Sequence, residues 1–224
     1  MPLYATDALI LRTYKLGESD RLVVFLTRDR GKKRGVAKNA RQSRRRFGGA
    51  LEPMTCGRVE YVEHERRELV SLRFVEASRS PLSAGGEAAL GYAGYFAELL
   101  DEWAQDADPN ETLYRLGTSI VEALVAGVRV APLARYFEFW LLRLGGVYAL
   151  DHRLSVGARA FLEAARSTSP FAIADVPASP AVLRELEVVH REMIGLHLEK
   201  TLKSIRVLRD LSLDAEAQRL GGKR

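Results

Sequence analysis

The chain has 224 residues, 47% hydrophobic and 28% charged, the balance of a globular protein of one large or two modest domains rather than a disordered one. No apolar run approaches the roughly 20 residues that span a bilayer, so no transmembrane helix is expected, and without an amphipathic basic helix no membrane partner is expected either. The net charge of +5 is uneven: residues 1–80 hold 18 Lys and Arg against 10 Asp and Glu, a net of +8, and the remainder is −3, so a polyanionic partner is expected of the first third alone.

The opening MPLYATDALI has no basic stretch ahead of its apolar residues and no cleavage-like site, so no signal peptide is expected. Short β-rich segments follow. ALILR at Ala8 to Arg12 and LVVFLT at Leu22 to Thr27 are separated by the turn KLGESD. A third strand is expected over Lys33 to Lys38, after the turn residue Gly31. RVEYVEH alternates around Val59 and Tyr61, and ELVSLRFVE puts Val70, Leu72 and Phe74 on one face. Strands of this length separated by turns fit a small closed barrel, of the OB or SH3-like kind. Cys56 is the single cysteine, so neither a disulfide nor a cysteine-based zinc site can form within the chain, and a reducing cytoplasm is its natural setting.

Within the barrel segment lies the strongest chemical signal. Arg28, Arg30, Lys32, Lys33, Arg34, Lys38, Arg41, Arg44, Arg45 and Arg46 are interrupted by one acid, Asp29. Such cations neutralise phosphates and release condensed counterions, the source of sequence-independent nucleic-acid affinity. Phe47, directly after the arginines, is a candidate for stacking on bases, as are Tyr14 and Tyr61, although each could equally serve the core. The bland alternative for the run is a solvated basic face.

Past Ser80-Pro81 the period becomes helical. Tyr92, Phe96, Leu99 and Trp103 share one face. Asp108-Pro109 reads as a cap for a second helix through Leu113, Leu116, Ile120 and Leu124. Pro132 opens a third, through Phe137 and Trp140, ended by Gly145-Gly146. A short helix follows Ser155 and buries Phe161 and Leu162, and Ser179-Pro180 begins a long one through Leu183, Leu186, Met193 and Leu196. The reading is α+β: a five-stranded barrel domain over residues 1–80 and an all-α domain with its own core over 81–224.

Nothing in the sequence assembles a catalytic site. His190 and His197, seven apart, could share a helix face with Glu187 or Glu199 near them, but His64, His152, His190 and His197 read as surface or boundary residues, and no metal is expected. HExxH, GxSxG, Walker A and GxGxxG patterns are absent, so the chain is not expected to be an enzyme.

Four phrases carry a resemblance. ALILRTYKLGESDRLVVFLTRDRGKKRGVAKNAR (Ala8 to Arg41), SRRRFGGALEPMT (Ser43 to Thr55), LLRLGGVYAL (Leu141 to Leu150) and LKSIRVLRDL (Leu202 to Leu211), in this order and spacing, resemble the RecO family. The resemblance implies an N-terminal OB-fold and a C-terminal helical domain. It also implies binding of single- and double-stranded DNA, annealing of complementary strands, and loading of RecA together with RecR and single-stranded DNA-binding protein, in the bacterial cytoplasm at the nucleoid. Lys32, Lys33, Arg34, Lys38, Arg41, Arg44, Arg45, Arg46 and Phe47 are the expected DNA contacts. Lys200, Lys203, Arg206 and Arg209, interleaved with Leu202, Ile205 and Leu208, are the candidate receptor for the acidic tail of single-stranded DNA-binding protein, the bland alternative being that the leucines are core and the cations a solvated face. Many members carry a four-cysteine zinc module after the Gly-Gly helix end. Here Gly146 to Phe161 holds no cysteine, so zinc is not carried over and no cofactor is expected. The rival readings are an RNA-binding or ribosome-associated basic barrel, and a nuclease, which would need clustered acids.

Overall fold

The computed structural model describes residues 1–65, 67–84, 86–149 and 154–209. His152 and residues 210–224 of the expected helical domain lie outside the described residues. The N-terminal segment forms β1 (Leu3–Leu16), β2 (Asp20–Thr27), β3 (Lys32–Ala37), β4 (Cys56–Val62) and β5 (Val70–Arg79). They close into a barrel in the order β1-β2-β3-β5-β4, with β3 and β5 parallel and the other pairs antiparallel. This is the five-stranded OB-fold.

Three register shifts adjust the alternation, and two of them bear on the surfaces described below. In β1 the register against β2 shifts between Ile10 and Arg12, so Leu11 and Arg12 both turn toward the helices. In β5, Leu72 opposes Tyr61 and Phe74 opposes Glu60, which leaves Arg73 as the extra residue. This corrects the expected face: Val70, Leu72 and Val75 are buried, and Phe74 is only half-buried.

The long β3–β4 connection makes irregular turns and straps one end of the barrel. Phe47, Ala50 and Leu51 plug the interior together with Ile10, Phe25, Val59, Tyr61 and Leu72. The strap is tied to β1 by the Thr13 hydroxyl donating to the Leu51 carbonyl at 2.6 Å, and to β5 by the Val75 N–H donating to the Arg46 carbonyl at 3.0 Å.

Helices follow: α1 (Glu87–Trp103), α2 (Glu111–Val125), α3 (Val130–Leu144), α4 (Val156–Ala165) and α5 (Pro180–Leu198), and residues 203–209 are helical as well. Ser155 and Ser179 cap α4 and α5 as expected, each accepting a backbone N–H with its hydroxyl. The α2 cap is Asn110 rather than Asp108, its side chain accepting from the Leu113 N–H at 2.9 Å. Pro132 sits inside the first turn of α3, which begins at Val130. Leu196 is 74% exposed near the end of α5 and is no core residue.

The helical half does not keep a core to itself. Leu9, Leu11, Val24 and Leu26, on the outward face of β1 and β2, bury into the same cluster as Phe96, Leu100, Leu113 and Phe137. Both faces of these two strands are therefore covered, which is why LVVFL is continuously apolar. At the centre of the helices lies a buried polar set. The Glu138 carboxylate accepts from Tyr95 Oη at 2.8 Å and Arg135 at 2.9 Å, and meets His190 Nδ1 at 3.0 Å. His190 is fully buried, not the boundary residue its sequence context suggested, because α5 turns that face onto Glu138.

Candidate nucleic-acid interface

The barrel divides the basic run into two parts with different surroundings. Its first half is matched by acids, Asp29 from within the run and the others brought from elsewhere in the chain. Arg28 pairs with Glu111 at 3.1 Å, Arg30 with Asp29 at 3.8 Å, Lys33 with Glu63 at 2.8 Å and Arg34 with Asp106 at 3.5 Å. Lys32 goes further. It is only 8% exposed, and its ammonium donates to the Asp101 carbonyl at 2.7 Å and sits 3.3 Å from the Asp101 carboxylate. Its backbone also pairs with Gln105 and Ala107. The expected phosphate contact at Lys32 is thus a clamp between β3 and the end of α1. A groove of about 480 Å³ beside β3 holds Lys33, Arg34, His64 and Arg67, but also Glu63, Glu68 and Asp106, so it has little net positive charge.

The second half of the run lies on the strap and meets no acid. Lys38, Arg41, Arg44 and Arg45 are exposed and Arg46 is half-buried, and none of the five forms an ion pair among the described residues. Two of the side chains, Arg41 and Arg46, are held by neutral partners, and the strap backbone is anchored on Asp20. Arg41 donates to the Glu18 carbonyl at 2.9 Å, and the Asn39 N–H donates to Asp20 at 2.8 Å, which anchors the strap to the β1–β2 turn. Arg46 donates to the Lys38 carbonyl at 2.7 Å and to Ser43 Oγ at 2.9 Å, and its guanidinium lies 5.0 Å from the centre of the Phe47 ring. A cationic ridge so pinned is preorganised for phosphates, with full charge still uncompensated.

The aromatics sort themselves by burial. Phe47 is 2% exposed and its ring belongs to the barrel interior, which corrects its expected stacking role. Tyr61 is buried as well, whereas Tyr14, 46% exposed on β1, keeps an open ring. Cys56 is buried and burial pushes its thiol up to about 12, so it is inert at neutral pH.

The second expected cluster is less open than its sequence implies. Lys200 is ion-paired with Glu102. The backbone N–H groups of Lys203 and Ser204 donate to Glu98 at 3.1 and 2.7 Å, which seats residues 203–209 against α1. Arg206 and Arg209 are exposed at the surface of that segment. Among the described residues, no group of three or more His, Cys, Asp or Glu could hold a metal ion, and no helix is long and apolar enough to cross a membrane.

The sequence is matched in both halves by known family models: recombination protein O N terminal over residues 1–81 and recombination protein O C terminal over residues 88–161. It is 44% identical over 145 residues to the DNA repair protein RecO of Koribacter versatilis, covering 64% of this chain and 59% of that protein. With the RecO of Geobacter metallireducens the identity is 40%, over 73% of this chain and 67% of that protein. With the RecO of Bifidobacterium adolescentis it is 30%, over 93% of this chain and the whole of that protein. In the first of these relatives the match thus spans little more than half of the relative's length. The OB barrel, the helices packed on it and the ordered match of both halves lead to one conclusion: the chain belongs to the RecO family of DNA repair and recombination proteins.

Proposed function

We propose that this chain binds single- and double-stranded DNA on the strapped end of its barrel, anneals complementary strands, and works with RecR to help RecA load. The observation that carries the DNA reading is the strap itself: Lys38, Arg41, Arg44, Arg45 and Arg46 lie on one anchored segment and form no ion pair among the described residues. No covalent step is needed, which makes the protein a mediator rather than an enzyme. Two strands repel through their phosphates, and a surface that neutralises both lowers that repulsion. Changing Arg44, Arg45 and Arg46 together to Ala is expected to weaken single-strand binding and to flatten its salt dependence by about two log-log units, at roughly 0.7 per contact. A folded variant with wild-type affinity and slope would remove the strap from the reading. Competition between single-stranded DNA and RNA of equal length separates this function from an RNA-binding barrel.

The partners RecR and single-stranded DNA-binding protein enter from family membership, as does action at the bacterial nucleoid. For the acidic tail of the latter, Lys200, Lys203, Arg206 and Arg209 are one receptor. A second reading is favoured by a cleft of about 440 Å³ walled by Phe139, Tyr148 and Leu162 and edged by Arg143, Arg159 and Arg166. Glu163, the one acid lining it among the described residues, is paired with Arg166 at 3.2 Å. An apolar notch rimmed by guanidinium groups suits an acidic peptide with an apolar end. Titrating a labelled tail peptide against Lys203→Glu/Arg206→Glu and against Arg143→Glu/Arg159→Glu decides between them by which pair loses binding.

A further inference from the structure

The strap is one arc of a longer cationic rim. The β1–β2 register sets Lys15 directly opposite Arg21. Arg21 in turn faces Ala37 on β3, the residue before Lys38. Parallel pairing then places Ala37 beside Leu72, so Arg73 follows on β5 as Lys38 follows on β3. The strap links these ends, since its Arg46 carbonyl accepts from Val75 at 3.0 Å and its Arg46 side chain donates to the Lys38 carbonyl at 2.7 Å. Lys15 and Arg73 are exposed and Arg21 is half-buried. None of the three forms an ion pair among the described residues.

Two acids stand in the adjoining turn, and neither forms an ion pair with these cations among the described residues. Asp20 accepts from the Asn39 N–H at 2.8 Å and lies 3.3 Å from Ser19 Oγ. Glu18 is exposed, and its backbone carbonyl rather than its carboxylate holds Arg41. Like charges directly opposite on neighbouring strands are destabilising, so Lys15 against Arg21 is not an arrangement that folding alone favours. A row of phosphates would relieve it. Arg73 adds a second argument, because the β5 bulge that makes it the extra residue also frees it from pairing across the sheet.

We infer that Lys15, Arg21 and Arg73 are phosphate contacts, and that a single nucleic-acid strand runs from the strap around the end of the barrel rather than along the acid-lined groove beside β3. The inference rests on the nucleic-acid reading above and extends it to residues outside the basic run. The test is the full chain carrying Lys15→Gln, Arg21→Gln and Arg73→Gln, titrated with a fluorescein-labelled oligothymidylate across a salt series. The log-log slope is expected to fall by about two units, at roughly 0.7 per contact, with about tenfold or more lost in affinity at the lowest salt. The thermal midpoint at low salt should hold or rise, because a repulsion has been removed. Arg58→Gln, an exposed cation opposite Asp7 away from this end, should keep the wild-type slope. A folded triple variant with the wild-type slope overturns the inference. If the strap variant still flattens the slope in that case, the path stops at the strap and the DNA reading survives. If the wild-type chain shows no salt-dependent binding, both fall.

Discussion

Lys32 and Arg45 show how one residue type in one basic run takes two roles. Lys32 buries its ammonium against Asp101 and Asp106, and Arg45 stands in water with no acid beside it. Lys32→Ala is therefore expected to cost about 1–3 kcal/mol of stability, since the Asp101 carbonyl loses its donor, while leaving the salt slope of DNA binding intact. Arg45→Ala should do the reverse, and denaturant titration beside binding titration separates the two. Glu138 gathers the buried polar groups of the helical interior. Its carboxylate is met by Tyr95, Arg135 and His190, all buried. Glu138→Gln would leave the Arg135 charge undercompensated, and a loss of about 3–5 kcal/mol is expected in urea unfolding. A loss under 1 kcal/mol would mean that Glu187, 3.5 Å from Arg135, holds that charge by itself.

Between elements, Glu98 joins three parts of the chain. It lies on α1, 3.5 Å from Arg12 of β1, and accepts from the backbone at Lys203 and Ser204. Burial alone would raise its carboxyl; the hydrogen bonds from Ser204 and Lys203 and the Arg12 charge prevail and hold it below the ordinary glutamate value. A carboxylate lowered on folding stabilises the folded state above its unfolded pKa, and the gain disappears as pH falls through the folded value. Residues 203–209 are therefore expected to lose amide protection as pH drops below about 4.5, the ordinary glutamate value. Glu98→Gln should produce the same loosening at pH 7, and hydrogen exchange by mass spectrometry reads both. Protection in that segment that is equal at pH 7 and pH 3.5 would show that Ile205 and Leu208, packed on the core, suffice to hold it.

For the whole molecule, the shared core decides what can stand alone. The barrel interior around Phe25, Phe47 and Tyr61 is closed by its own strap, yet Leu9, Leu11, Val24 and Leu26 bury outward among the helices. Residues 1–80 by themselves would expose that face, a contiguous apolar patch of the kind that drives aggregation. The fragment is expected to precipitate or to lack a cooperative thermal transition, in contrast to the full chain. A monomeric fragment with dispersed amide resonances would show instead that the barrel is an independent domain.

Much of this protein was legible without coordinates. Periodicity of two before Ser80 and of three and four after it separates strands from helices, because side-chain direction follows directly from backbone geometry. Ser155 and Ser179 mark helix starts for the same local reason. The basic run, too, is a property of the sequence. Its division is not: which cations stay free depends on acids 30 to 83 residues away, such as Glu63 for Lys33 and Glu111 for Arg28. Phe47 was equally a stacking ring or a core ring until the strap folded it into the barrel. Arg73 carries no local signal at all, since only the parallel pairing of β3 with β5, which sets Leu72 beside Ala37, brings it to the end of the barrel where Lys38 leaves β3. Local geometry and composition are written along the chain, whereas charge compensation and burial are sums over neighbours that the tertiary fold alone brings together.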